Sequence, residues 1–475
     1  MYPPSHHMGL SALRTLASLL LFLPLPLLLF VVSPSPCSSV QPVPHARNLR
    51  ASAPVVTGHP FVVVWNMATA HCQTRHGVQL SLGDFDIVVN TQQHFLGQNM
   101  TIFYRDRLGA YPFVSRNGTE VNGGLPQNTQ LGDHLAIAGG QISRRLRPDF
   151  AGLAVIDWEE WRPLWERNFD SKAVYRRLSK RRVRRERRVR REQRERPELR
   201  KRKGEKEEKV KKVEKVTEEA KREFEEGARR VMEETLRLGV THRPGGLWGF
   251  YGFPACYNEP KKKTWMLEGA NYTGQCHLGT RRLNDRLDWL WNQSTALYPS
   301  IYLPRRLAGA QESALMVRHR VLEALRVGST WRHGNASNHQ ATPVFPYARL
   351  AFTHTLDFLN ETDLQHTLGE AAALGAAGVV LWGGLEFARS KDQCMLLRDY
   401  LRDTLGRYVR KLRKLTRRCS RRRCHGNGRC ARRQPAVGHM IPSNTPNGKR
   451  GPFSRHFLCH CYPGWAGKRC EESRG

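Results

Sequence analysis

What this chain lacks narrows it first. It has no glycine fingerprint of a dinucleotide-binding turn. The tail "CEESRG" is polar and carries no lipid-anchor signal, and after one N-terminal apolar run no second segment of membrane-spanning length follows. These absences argue against a dinucleotide-binding open sheet, a lipid anchor and a transmembrane span, and nothing calls for a metal or an organic cofactor. Acidic residues are short as well: 42 Asp and Glu face 77 Lys and Arg, a formal charge of +35 that points towards polyanionic partners.

The 475 residues suit one large α/β barrel with an appended module. Arg14 precedes an apolar run from Leu16 to Val32, interrupted by Pro24 and Pro26 and followed by "SPSPCSS". This is the layout of a signal peptide over about residues 1–35. Secretory entry permits disulfides, and six N-x-S/T sequons, at Asn99, Asn117, Asn271, Asn292, Asn335 and Asn360, fit passage through a glycosylating compartment. Of eleven cysteines, Cys37 lies in or beside the leader, and six of the other ten crowd the C-terminus: Cys419, Cys424, Cys430, Cys459, Cys461 and Cys470. Zinc is the rival explanation, but a short secreted segment that can bury little core favours disulfide staples.

Much of the positive charge is local. From Arg176 to Lys203 there are 17 basic and 4 acidic residues, and the biased composition continues to about residue 215. Such an insertion reads as a solvated helix or a disordered segment. A chain with a leader is not expected to meet nucleic acid, so the tract is not taken as the functional site.

Short β-rich runs recur: "FVVVW" at Phe61, "FDIVV" at Phe85, "MTIFY" at Met100, "LAVIDW" at Leu153, "LWGFY" at Leu247, "SIYLP" at Ser300, "YARLAF" at Tyr347 and "GVVLW" at Gly378. Helical patterns separate several of them. Phe224, Ala228, Val231, Met232 and Leu236 share one face, and Leu315, Val317, Val321, Leu322 and Leu325 roughly another. A third helix suits "DLQHTLGEAAALGAA", with Asp363 near its start and Gly378 beyond its end. Eight strands alternating with helices predict a parallel α/β barrel. The helix "CMLLRDYLRDTLGRYVRKLRKL" should end it, with a boundary near Thr416.

One strand ends unusually: "GLAVIDWEEWRP" runs an apolar series straight into Asp157 and Glu159. Residues i and i+2 of a strand project to the same side, so both carboxylates should face one cleft while Trp158 points away. The C-terminal strand ends of a parallel barrel form the rim where active sites sit. Two carboxylates held close cannot both ionise freely, so one keeps its proton towards neutral pH and can act as a general acid. The plainer alternative is a pair that salt-bridges Arg162 or caps the next helix, and spacing alone leaves both open.

The surrounding stretches add a resemblance. "AVIDWEEWRPLWERNFDSKAVYR", "RPGGLWGFYGFPACYN", "NYTGQC", "ALYPSIYLP", "VRHRVLEALRV" and "GAAGVVLWGG" together resemble the hyaluronidase family of glycoside hydrolases, from about Pro60 to the C-terminus except for the basic tract. "AHCQTRHGVQL", "HFLGQNMTIFY", "YGFPACYN" and "CHGNGRCARR" look most like its type-three branch. The resemblance implies a distorted TIM-like (β/α) barrel over about residues 58–415, then a small disulfide-rich EGF-like module over 416–475. It also implies a secreted or lysosomal endo-glycosidase that cuts β-1,4 bonds of hyaluronan, and of chondroitin sulfate as a further substrate.

By the same resemblance Glu159 donates a proton to the leaving glycosidic oxygen, and no protein nucleophile is needed because the N-acetyl carbonyl of the substrate attacks. Asp157 would orient that acetamido group and steady its developing positive charge, sharing its proton with Glu159. Tyr251 and Tyr302 match tyrosines that hydrogen-bond the acetamido group. Tyr104 and Trp382 match aromatics that stack on sugar faces, and Arg320 matches a basic cleft position. The resemblance further pairs Cys72 with Cys394, Cys256 with Cys276, Cys419 with Cys430, Cys424 with Cys459 and Cys461 with Cys470. A monomer is expected, extracellular or in a lysosomal or acrosomal vesicle.

Two positions depart from the family pattern. Ala255, before Cys256, and Thr353, in "AFTHT", stand where active relatives often carry acids, and the loop between Cys256 and Cys276 is lengthened by a stretch with three lysines. A second expectation therefore stays open: a glycosaminoglycan-binding protein with little hydrolysis, acting in sperm–cumulus interaction. A third makes the C-terminal module an adhesion domain on a scaffold barrel, separable after Thr416.

Overall fold

The apolar runs become strands where their backbone groups are free to pair. The structure, a computed structural model, describes residues 51–193, 205–260, 272–330, 340–441 and 453–474, all within one unit of the chain. The expected leader, the sequons Asn271 and Asn335, and residues 194–204 of the basic tract lie outside the described residues. The strands in chain order are β1 (Val62–Met67), β2 (Met100–Tyr104), a hairpin of β3 (Phe113–Val114) and β4 (Glu120–Val121), then β5 (Leu153–Asp157), β6 (Leu247–Phe250), β7 (Tyr347–Arg349) and β8 (Gly378–Gly383).

β2, β5 and β6 form one parallel sheet and β1, β8 and β7 another. Parallel bridges from Tyr251 to Tyr298 and from Ser300 to Tyr347 join β6 to β7 through residues 297–301, and a bridge from Val64 to Val88 continues the ring past β1. The last seam is closed by a side chain. Asn90 accepts from the Met100 N–H at 3.0 Å and donates to the Met100 carbonyl at 2.8 Å. The result is a distorted TIM-like barrel in which two of the eight expected strands survive only as bridges. "FDIVV" is broken because Asp86 turns left-handed, φ 58°, after a 3₁₀ turn at Leu82–Phe85. "SIYLP" is broken because Pro299 and Pro304 have no N–H to give a ladder.

Period-two alternation sorts the strand residues. Val62, Val64, Met100, Ile102, Leu153, Val155, Tyr298, Tyr347 and Val380 pack together in one cluster, while Phe103, Ala154, Ile156 and Trp248 pack in a second that includes the helices. Gly249 is needed in β6, because a Cβ there would lie 2.2 Å from the Ala296 carbonyl.

Four long helices matter for the site: α1 (Leu131–Arg145), α2 (Ala173–Glu192), α3 (Glu205–His242) and α4 (Gln311–Thr330). The expected face of α3 is buried, Phe224, Ala228, Val231 and Leu236 all at 0 % exposure. On α4 the buried stripe is Met316, Val317, Val321, Ala324 and Val327, while Leu315, Leu322 and Leu325 are half-buried. The third expected helix starts at Asn360, whose side chain forms a capping box with Asp363. It passes a π turn at Gln365–Gly369 and stops at Leu374, where Gly375 takes φ 91°.

A further helix, α5 (Gly406–Cys424), passes through Thr416 and presents Cys419 and Cys424 to Cys430 and Cys459, beside the hairpin β9 (Gly428–Arg432) and β10 (Phe457–Cys461). The other disulfides join Cys461 to Cys470, Cys256 to Cys276, and Cys72 to Cys394 across 322 residues of sequence. Glu370, fully buried, binds Arg318 of α4 at 2.6 Å and Arg432 of β9 at 2.7 Å, tying the barrel wall to the C-terminal hairpin. Among the described residues no helix is long and apolar enough to cross a membrane, and no group of three His, Cys, Asp or Glu could hold a metal ion.

Candidate active site

β5 delivers its two carboxylates as the alternation predicts. Trp158 is 4 % exposed and stacks on Tyr111 at 4.6 Å, so it is the core-facing member of the triplet. Glu159 keeps 57 % of its side chain open to solvent. Asp157 is mostly buried, and its Oδ1 has no hydrogen-bond partner. Burial first, and the neighbouring Glu159 charge second, push the Asp157 carboxyl up to about 8 against the pull of Arg162. Asp157 is therefore the group that holds a proton at neutral pH, beside an accessible Glu159. One carboxyl is largely buried and the other is open.

The backbone that carries Glu159 is held from below. Arg162 donates to the Glu159 carbonyl at 3.0 Å, and the Lys172 ammonium donates to the same oxygen. Arg162 also stands 3.8 Å from the Glu159 carboxylate, and Arg105 pairs with Glu160. Of the two plain alternatives for the D-x-E pair, the salt bridge is partly present, since Arg162 does contact Glu159, but at the edge of the range and with the carboxylate still open, while the next helical turn, Trp165–Arg167, has no side-chain cap.

Neighbouring strand ends supply the aromatics. Tyr104 is the register partner of Asp157 on β2, and Tyr251 follows β6 with its N–H on the Ile156 carbonyl at 2.9 Å. Tyr251 and Tyr302 have ring centroids 6.1 Å apart, and Tyr302 stacks on Trp382 at 6.1 Å. Trp382 Nε1 then donates to the Tyr104 hydroxyl at 3.1 Å, closing a circuit across the mouth between residues 278 positions apart in sequence. Burial pushes Tyr251 up to about 12 and raises Tyr104 and Tyr302 as well, and Asp157 adds to all three, so these phenols stay protonated as donors.

Arg320 lies behind this wall. It donates to Asn258 Oδ1 at 2.9 Å and to the Ser300 carbonyl at 3.1 Å, so it braces the segment that carries Tyr302. Sequence reading missed Arg349, the last residue of β7. Its guanidinium sits 5.2 Å from the Trp382 ring centre and 5.9 Å from that of Tyr302, pairs with Glu386 at 3.1 Å, and leaves Nε buried without a partner. The signal was available: a charged residue two after a buried strand tyrosine, the spacing that exposed Glu159. Thr353 donates its N–H to the Leu303 carbonyl at 2.9 Å, and the carbonyl of Ala255 accepts from Asn284 at 2.9 Å. The described sequon residues Asn99, Asn117, Asn292 and Asn360 are all exposed.

Comparison with known proteins gives this geometry a lineage. The sequence profile described as hyaluronidase matches residues 50–474. Hyaluronidase-3 of Homo sapiens is 45% identical over 421 residues, covering 89% of this chain and 93% of that protein. Hyaluronidase-1 of Sus scrofa is 41% identical over 440 residues, covering 88% and 94%. Among solved structures, bee venom hyaluronidase in complex with a hyaluronic acid tetramer aligns with a TM-score of 0.61 at 30% identity, covering 74% of this chain and 99% of that one. A barrel whose strand ends gather a proton-holding aspartate, an open glutamate and a ring of tyrosines thus comes with a match of sequence and fold along most of its length: the chain belongs to the hyaluronidase family of glycoside hydrolases.

Proposed function

We propose that the protein is an endo-β-N-acetylhexosaminidase that hydrolyses the β-1,4 bonds of hyaluronan with retention. One observation carries the reading: at the end of β5 the largely buried Asp157 carboxyl, which burial pushes up, stands two residues before the open Glu159, with Tyr104 as its register partner on β2. A hyaluronic acid tetramer is the ligand of the bee venom complex, and the relatives' names point to the same polymer. Chondroitin sulfate shares the uronate and N-acetylhexosamine alternation and is the second substrate of this reading.

In the proposed step the proton that Asp157 holds at rest is shared with Glu159, which passes it to the leaving glycosidic oxygen as the C–O bond breaks. The substrate's acetamido oxygen attacks the anomeric carbon from the opposite face, forming a cyclic intermediate. Tyr251 and Tyr302 hold the acetamido group near its attack geometry. Asp157 lies where positive charge develops on that group, and the carboxylate left when its proton has been shared with Glu159 steadies that charge. Water then opens the ring, surrendering a proton to Glu159. Tyr104 and Trp382 stack on flanking sugars, and Arg320 supports the Tyr302 segment. The enzyme acts as a monomer with its C-terminal disulfide module as an EGF-like appendage, and the leader and exposed sequons support a glycosylated secretory product working outside the cell or in a lysosomal or acrosomal vesicle.

A second reading, binding without turnover, draws on Ala255 and Thr353, which put no acid at two positions near the cleft. Depolymerisation of hyaluronan by the purified protein across pH, beside Glu159→Gln, separates the two. Equal product from both proteins removes the hydrolase, and binding of labelled hyaluronan without cleavage installs the binder.

A further inference from the structure

The basic tract folds, over its described N-terminal part, as the helix α2, and its charges are sorted by face. Tyr175, Ser179 and Val183, spaced four apart, are at most 2 % exposed. The Tyr175 hydroxyl accepts from the Val114 N–H at 3.0 Å, and Ser179 accepts from Gln127 at 2.9 Å. Two arginines beside that face are neutralised by α3: Arg182 binds Glu223 at 2.6 Å and Arg187 binds Glu219. The inner flank is therefore both packed and paired.

The outer flank is neither. Arg177, Arg181, Arg184 and Arg185 are exposed and form no ion pair among the described residues, and Arg188 pairs only with Glu192 on its own helix. At helical pitch these five fall within about 100° of the circumference along about 16 Å of axis. Placing Arg177 and Arg181, Arg181 and Arg185, and Arg184 and Arg188 at i, i+4 opposes helix formation, yet the packed inner face keeps the helix in place. The stripe begins five residues after Lys172, whose ammonium holds the Glu159 carbonyl.

We propose that this arginine stripe on α2 is a binding site for a sulfated glycosaminoglycan chain, distinct from the cleft and independent of the catalytic reading. Every exposed cation in the stripe is arginine, whose planar fork binds sulfate-like oxyanions through two parallel hydrogen bonds. The cations recur at least once per helical turn, about every 5 Å. That is denser than the carboxylates of hyaluronan, which fall on every second sugar, and suits a chain with several charges per disaccharide. No exposed aromatic residue lies on α2 to stack on bases, which disfavours single-stranded nucleic acid.

The test measures affinity of the full chain for a heparin oligosaccharide as salt is varied. One variant carries Arg177→Gln, Arg181→Gln, Arg184→Gln and Arg185→Gln; a charge-matched control carries Arg407→Gln, Lys414→Gln, Arg421→Gln and Arg422→Gln on α5. The α2 variant should bind at least about tenfold more weakly at physiological salt, and its salt slope should shrink by about 0.7–0.9 per contacting cation lost, the scale set by counterion release from nucleic acid. Circular dichroism checks that both fold. Should the neutral α2 variant misfold, lysine at the same four positions decides: several-fold weakening supports the site, unchanged binding overturns it. Equal losses in the α2 and α5 variants would show that net charge alone attracts heparin and sink the proposal. So would a loss of hyaluronan-oligosaccharide or single-stranded-oligonucleotide binding in the α2 variant as large as its loss of heparin binding.

Discussion

Replacing Asp157 with Asn should stabilise the fold at neutral pH while cutting hydrolysis. Burial and the Glu159 charge raise the Asp157 carboxyl from 3.8 to about 8. Between those two values the native state binds the proton more tightly than the unfolded chain, so wild-type stability falls as pH rises through that window. The linked penalty is under ~1 kcal/mol at pH 4 and reaches ~4 kcal/mol at pH 7, levelling off above pH 8. Asn has the shape of the protonated acid and does not titrate. The stability gap between Asp157→Asn and wild type should therefore open steadily from pH 4 to pH 8, in favour of the variant. Denaturant unfolding at unit intervals of pH measures it. Parallel stability curves, or a gap that widens towards acid, would show that Asp157 is ionised in the native site and that the proton assigned to it is absent.

Glu159→Gln should lower kcat for hyaluronan by about 10²–10⁴ with little change in KM or melting temperature, because the side chain is open and its loss uncovers nothing; reducing-end release measures it. Arg349→Gln should raise KM for hyaluronan about 3–10-fold through loss of the cation over Tyr302 and Trp382, whereas Glu386→Gln, which frees that cation, should lower KM. Shifts of the same sign in the two variants would contradict a substrate-facing role for Arg349.

The pair at the end of β5 was legible because strand alternation is local: an apolar run stopping on D-x-E fixes which side chains share a face without knowledge of the fold. The circuit from Trp382 to Tyr104 was not, since its members are 278 residues apart and only the barrel's closure brings them together. Which carboxyl holds the proton was also hidden. Spacing says that one must, and burial, a tertiary quantity, selects Asp157. "FDIVV" and "SIYLP" had strand composition, but a left-handed Asp86 and two prolines reduced them to bridges. α2 shows the converse, where composition suggested solvation and the i, i+4 series at Tyr175, Ser179 and Val183 anchors one face.

The same distinction bears on whether the C-terminal module can be removed. A cut after Thr416 looks clean in sequence because the cysteine cluster begins beyond it. In the fold, α5 runs on to Cys424, the Ala51 N–H donates to the Cys461 carbonyl at 2.8 Å, and Arg429 donates to the Pro60 carbonyl at 2.7 Å. Glu370 is the decisive contact. Burial alone would push its carboxyl up, but Arg432 and Arg318 together outweigh that and hold it below the ordinary range. Truncation takes away Arg432 and leaves a buried carboxylate with one partner, a loss of about 3–5 kcal/mol by analogy with other broken buried pairs. A chain ending at Thr416 should thus unfold at markedly lower denaturant than the whole protein, and Glu370→Gln in the truncated chain should recover part of the difference. A truncated barrel as stable as the full chain would mean that the buried triad contributes nothing and that the module is an independent appendage.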